Sequence, residues 1–163
     1  YAQLSRGLGE VYKRHIVRLA KRIEVGIADD DEFLEDDLRS IITTNTRGVL
    51  LPKVENTSNL QLVDSIMSAS ERELGIEENS VKLILLLESA LGVMRCYELA
   101  SYLSRIESVS FGSAEDGDLQ TNLGCSFSIE GPELLYARSK VLLELELAED
   151  NKAFLHFAGF LLR

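Results

Sequence analysis

Basic charge is scarce in this 163-residue chain: 17 Lys and Arg stand against 27 Asp and Glu, a formal net charge of −10. Nucleic-acid backbones are bound by Lys and Arg that release counterions, so this balance excludes a nucleic-acid partner. Long apolar runs are missing too, since none approaches the roughly 20 residues a bilayer-crossing helix needs. No signal-peptide pattern opens the chain, and no membrane partner is expected. Cysteine is sparse: Cys96 and Cys125 are too far apart for a metal-ligand spacing and too few for a disulfide scaffold. They read as packed thiols in a reducing compartment, the cytoplasm or, in a eukaryote, the mitochondrial matrix. The two histidines, His15 and His156, sit in helical patterns with no partner motif, and neither is assigned a role.

What is present is a 45% hydrophobic composition, enough for one domain over 1–163 with a real core. Along the chain, helical and strand-like patterns alternate. Leu4, Leu8, Val11, Ile16, Leu19 and Ile23 among Arg and Lys predict an amphipathic helix over 1–23. A short apolar piece, Glu24–Ile27, follows. The acidic run Asp29–Asp37 carries Phe33, Leu34 and Leu38 at helical spacing, continued by Ile41 and Ile42. Gly48–Pro52 reads as a buried strand closed by a proline that cannot extend a ladder. Asn56 to Ser58 supply an N-cap for a helix through Leu60, Leu62, Val63, Ile66 and Met67. Lys82–Leu87 predicts a second strand, Val93–Leu103 a helix, Ile106–Phe111 a third strand and Pro132–Leu147 a helix with proline near its first turn.

Strands that are continuously apolar are covered on both faces, the mark of a parallel sheet with crossover helices. The pattern is α/β, with βα units recurring about every 30–35 residues. Such units suit either an open doubly wound sheet or an arc of a barrel, and periodicity does not separate the two.

Function in parallel α/β folds gathers at the carboxyl ends of strands. That rule selects Lys53, Glu55, Glu88 and the cluster Glu115, Asp116 and Asp118. A hard divalent cation needs only one or two carboxylates if it keeps waters and takes substrate oxygens, so Glu88 with one aspartate suffices. The competing reading is that Glu88 caps the following helix, whose N-terminus favours an anion. Lys53 could neutralise an anionic substrate or an acidic neighbour, or serve an internal salt bridge that positions its loop.

Four segments in order, Leu51-Pro-Lys-Val-Glu55, Leu87-Glu-Ser-Ala-Leu-Gly92, Phe111-Gly112 with Asp118-Leu-Gln-Thr-Asn-Leu-Gly124, and Leu135-Tyr-Ala-Arg-Ser139, resemble landmarks of the citrate lyase beta-subunit-like family. This group of HpcH/HpaI aldolases includes the malyl-CoA and citramalyl-CoA lyases. The resemblance spans about residues 35–145. It implies parallel βα units of a TIM (β/α)8 barrel of the phosphoenolpyruvate/pyruvate superfamily. A full barrel needs roughly 250 residues, so it is incomplete in this chain. It also implies Mg²⁺ as cofactor, Glu88 as one ligand and an aspartate as the other, and a small acyl-CoA or keto-acid substrate. Homo-oligomers, trimers or hexamers, are the assemblies it implies. Counting back from Gly124 puts the second ligand at Asp118, with a three-residue insertion after Gly112 and Asp116 as fallback. Lys53 and Glu55 fall where the family presents its substrate-binding strand end. Arg138 is expected to form a structural ion pair.

Two departures bear on activity. The family's opening strand and its "V-R-x-N" strand, whose arginine binds the substrate carboxylate, are not recognised in residues 1–27. Phe154 to Arg163 do not reproduce its later strands, and their apolar residues are expected to pack elsewhere. The function that follows is a Mg²⁺-dependent carbon–carbon lyase acting on a short hydroxy-dicarboxylic acyl-CoA. The alternative is a non-catalytic, diverged homologue that serves assembly.

Overall fold

The computed structural model describes residues 16–18, 32–113, 117–149 and 156–158. The elements are β1 (Ile16–Arg18), α1 (Glu32–Ile41), β2 (Gly48–Pro52), α2 (Thr57–Leu74), β3 (Lys82–Leu87), α3 (Ala90–Met94), α4 (Cys96–Tyr102), β4 (Ile106–Phe111), α5 (Asp118–Leu123), a 3₁₀ turn (Pro132–Leu134), α6 (Leu135–Glu149) and β5 (His156–Ala158).

All four strand pairings are parallel, and the spatial order of the strands equals their order in sequence. A doubly wound sheet reverses its order at a switch point, whereas a barrel adds each strand beside the last. Right-handed crossovers then place every connecting helix on one face. The sheet is therefore an arc of a (β/α)8-type barrel, and the open-sheet alternative is excluded. Burial agrees with this. Leu51, Leu85 and Val109 are in register and sealed, while Leu50 and Ile84, in register on the opposite face, are only half-buried.

Local chemistry sets the element ends. Asn56, in extended conformation, accepts a hydrogen bond from Asn59 N and starts α2. Gly75 ends it at φ 67°, where a side chain would be strained, and Ile76 N donates back to Glu71 O at 3.0 Å. Leu60, Val63, Ile66 and Met67 turn inward against the sheet. In α6 the inner face is Ala137, Val141, Leu145 and Ala148, but Leu135, Tyr136, Leu142, Leu143 and Leu147 on other faces stay exposed.

Three expectations need correction. Ile16–Arg18 is strand, not helix, because its short β-branched run pairs with Gly48–Leu50. His156 lies in β5, paired with Ser108, so the carboxyl-terminal apolar stretch contributes a strand rather than a helix. The helix expected over Val93–Leu103 is two helices broken at Arg95, which sits at φ −105°, ψ 16°. Glu24–Ile27 lies outside the described residues.

At the amino ends of β3 and β4, Arg105 is fully buried and donates to Asp64, to Ser68 Oγ at 2.8 Å and to Val81 O at 3.0 Å. Glu71, equally buried, pairs with it at 3.3 Å and accepts from Val81 N and Asn79 N. Glu144 of α6 accepts from Tyr97 N, giving α4 the cap its own sequence lacks. Beside it, burial first and the Glu144 charge second push the Cys96 thiol up to about 12. Its protonated form is thus kept across the working range, and stability linked to it is lost only as pH climbs from about 9, the unfolded range, toward 12. A thiol reagent at pH 8 is expected to modify the half-buried Cys125 and spare Cys96 in the native protein, and to modify both in denaturant.

Candidate functional site

The carboxyl end of β2 is strained. Lys53, immediately after Pro52, has φ 52°, a left-handed conformation that costs a non-glycine residue on the order of 1 kcal/mol. Its neighbours hold it there. Val54 is buried, and its carbonyl oxygen lies 2.7 Å from where a Cβ on Gly92 would stand, so only glycine lets α3 approach this closely. Arg95 Nη1 donates to Glu55 O at 3.1 Å. The Pro-Lys-Val-Glu loop and the Ser-Ala-Leu-Gly helix start are thus one packed unit.

Glu88 follows the last residue of β3 and is 9% exposed. The N-cap of α3 is Ser89, whose Oγ accepts from Gly92 N at 3.1 Å, and Ala90 N donates to Asn122 Oδ1 at 2.8 Å. Ser89 and Asn122 therefore carry the capping work that the competing reading gave Glu88. At the end of β4, Gly112 N donates to Leu87 O at 3.0 Å, and a Cβ at 112 would stand 3.1 Å from Glu88 Cγ. The bare glycine is what gives Glu88 its space beside β4.

Asp118 is the first residue of α5, after the N-cap Gly117. Its Oδ2 is 3.5 Å from Lys53 Nζ, with both side chains about one-third exposed. Asn122, one turn on, is the residue that ties α5 to the start of α3. The structure thus brings Lys53 and Asp118 together, seats Glu88 against Gly112 at the same pole, and binds the three loops to one another. Glu55 is joined to this unit through its backbone carbonyl. Asp116 lies outside the described residues.

Among the described residues no three His, Cys, Asp or Glu gather as a metal cage. Two carboxylates at a strand-end pole instead match a hard divalent cation that retains waters and takes substrate oxygens. A donor set made of carboxylate oxygens alone suits Mg²⁺ rather than a soft metal.

Arg138 works structurally. Its guanidinium donates to Gly131 O, where a Cβ on Gly131 would collide with it at 2.8 Å. Glu133 in the same turn is held below the usual carboxylate range, chiefly by the Ser128 hydroxyl, with Arg138 a smaller contributor. The sequence reading missed Val17-Arg18, which ends β1 in register with Val49-Leu50. The signal was the short Ile16-Val17-Arg18 run, masked by basic residues at helical spacing on either side.

The family model for HpcH/HpaI aldolase/citrate lyase matches residues 14–151. Citrate lyase subunit beta of Leuconostoc mesenteroides subsp. cremoris is 30% identical over 113 residues, 69% of this chain and 36% of that protein. The Haemophilus influenzae subunit is 31% identical over 113 residues, covering 69% and 38%. This chain thus spans little more than a third of these curated relatives. A citrate lyase structure from Burkholderia xenovorans LB400 superposes with TM-score 0.56 at 25% identity, over 73% of this chain and 39% of that one. A Haloferax volcanii malate synthase, solved as a magnesium/glyoxylate complex, superposes with TM-score 0.59 at 14% identity, over 81% and 38%. With a family model covering most of its length and the same strand-end motifs interlocked at one pole, the chain belongs to the HpcH/HpaI aldolase/citrate lyase family.

Proposed function

We propose that the protein to which this chain belongs is a Mg²⁺-dependent carbon–carbon lyase that cleaves a short hydroxy-dicarboxylic acyl-CoA such as malyl-CoA or citramalyl-CoA. The observation that carries this reading is the seating of Glu88 over Gly112 at the same pole as the Lys53–Asp118 pair. Glu88 and Asp118 hold the cation. When bound, it supplies a Lewis acid for the oxygen on which negative charge develops as the carbon–carbon bond breaks. Packing fixes Glu88 through the Leu87–Gly112 backbone bond, so its carboxylate is presented without a large ordering cost. Lys53 adds positive charge at the mouth, and Glu55 ends the same loop. Arg18, at the end of β1, follows Val17 as in the family's V-R-x-N motif, with Ala20 where the motif has Asn, and is the candidate for the arginine that receives the substrate carboxylate.

The exposed apolar residues of α6 support a homo-oligomer, a trimer or hexamer, within the same reading. A specific observation favours a second reading: six positions separate Gly112 from Asp118, three more than the family spacing, as in a homologue that has lost its chemistry. Incubation with malyl-CoA or citramalyl-CoA and Mg²⁺ is expected to release glyoxylate or pyruvate, detected as the phenylhydrazone, together with acetyl-CoA. No product from either thioester in the full-length protein would leave the non-catalytic reading standing.

A further inference from the structure

The left-handed backbone at Lys53 and the ion pair it makes are separate observations that meet at one atom. Pro52 before it and Val54 after it are buried, and Val54 is locked against Gly92, so residue 53 has no freedom to relax. Glycine or asparagine would take φ 52° without strain, yet the residue here is the one with a mobile four-carbon arm and a point charge. That arm reaches Asp118 Oδ2, the carboxylate assigned above to the cation. Both partners are partly exposed, so the pair is weak and easily exchanged. In a chain of net charge −10, Lys53 is the cation that faces the Asp118 carboxylate.

Resting on the lyase reading, we infer that Lys53 is a charge switch: it pairs with Asp118 in the metal-free protein and passes to the anionic substrate once Asp118 takes up the cation. Lys53 then competes with the cation for Asp118 and, once released, helps hold the substrate anion. Its effect on the cation is that of a positioning residue acting through Asp118.

Two consequences have opposite signs, which a merely structural lysine would not produce. Free Mn²⁺ followed by electron paramagnetic resonance in the absence of substrate should show Lys53→Met binding several-fold more tightly than the wild type. Calorimetry with glyoxylate on the Mn²⁺-loaded proteins should show Lys53→Met binding at least tenfold more weakly. Lys53→Arg, which keeps the charge, should restore both values toward wild type. Adding Asp118→Asn to Lys53→Met should abolish the gain in Mn²⁺ affinity. If the wild type binds Mn²⁺ and Lys53→Met binds it equally or more weakly, the switch is overturned while the lyase reading stands. Should neither protein bind Mn²⁺, the lyase reading fails and the switch with it. Thermal unfolding of Lys53→Met, whose backbone strain is unchanged, checks that the variant is folded.

Discussion

Glu88→Ala is expected to lower Mn²⁺ or Mg²⁺ affinity by roughly 100-fold, about 2.8 kcal/mol, and to cut turnover of the cleaved thioester by roughly 10³-fold, as for loss of an electrostatic stabiliser. The chain should remain folded. Glu88 is a nearly buried carboxylate, and its removal relieves a desolvation cost rather than emptying an apolar core. Ser89 and Asn122 continue to cap α3. The measurement is a Mn²⁺ titration beside a melting curve on the same preparation. Retained affinity in the alanine variant would remove Glu88 from the site. A fall in melting temperature paralleling the loss of affinity would make its role structural. Glu88→Gln keeps the shape and one acceptor oxygen but not the charge, and should lie between the two.

The second large effect concerns stability at the opposite pole. Glu71→Ala strips the fully buried Arg105 of a partner and leaves Val81 N and Asn79 N without their acceptor. Breaking a buried pair from one side costs about 3–5 kcal/mol, and because Asp64 still pairs with Arg105 the loss expected here is about 3 kcal/mol. That is a large share of the roughly 5–15 kcal/mol total of an ordinary domain. For a chain of this size it corresponds to a fall of about 10 °C in melting temperature. Combining Glu71→Ala with Arg105→Met should recover part of the loss, since the buried guanidinium that lost one of its two carboxylates is then gone, and the double-mutant cycle reads the coupling directly. Additive losses would show that the pair is not coupled. Cation affinity of the folded fraction should be unchanged, because the network sits at the amino ends of β3 and β4, where barrel residues serve stability.

Much of both regions was legible before any coordinates. The strands at 48–52, 82–87 and 106–111 stand out because their apolar runs are unbroken and bounded by turn residues. The start of the helix over 57–74 stands out because Asn56 caps it, whereas its end at Gly75 emerges only in the structure. Glu88 was visible as an acid at the end of an apolar run. The strand at Ile16–Arg18 was not visible, since three residues give no period and the surrounding Lys and Arg match a helical spacing. Its identity comes from Gly48–Leu50, some 30 residues away. His156 was misread for the same reason: a strand this short is defined by its neighbour, Ser108, rather than by its own pattern.

The sequence by itself determined the class of structure, parallel βα units, and which candidate residues fall at strand ends, because periodicity and strand-end position are local properties. Tertiary structure decided three things that depend on distant segments. Strand order excluded the doubly wound sheet, since only the pairing of all five strands reveals that the order never reverses. The approach of α3 to Val54 explained Gly92, whose missing side chain is needed only where another backbone comes within 2.7 Å of the added Cβ. The 3.5 Å contact between Lys53 and Asp118 turned two separate candidates into an interacting pair, for charges 65 positions apart in sequence couple only when the fold closes the distance.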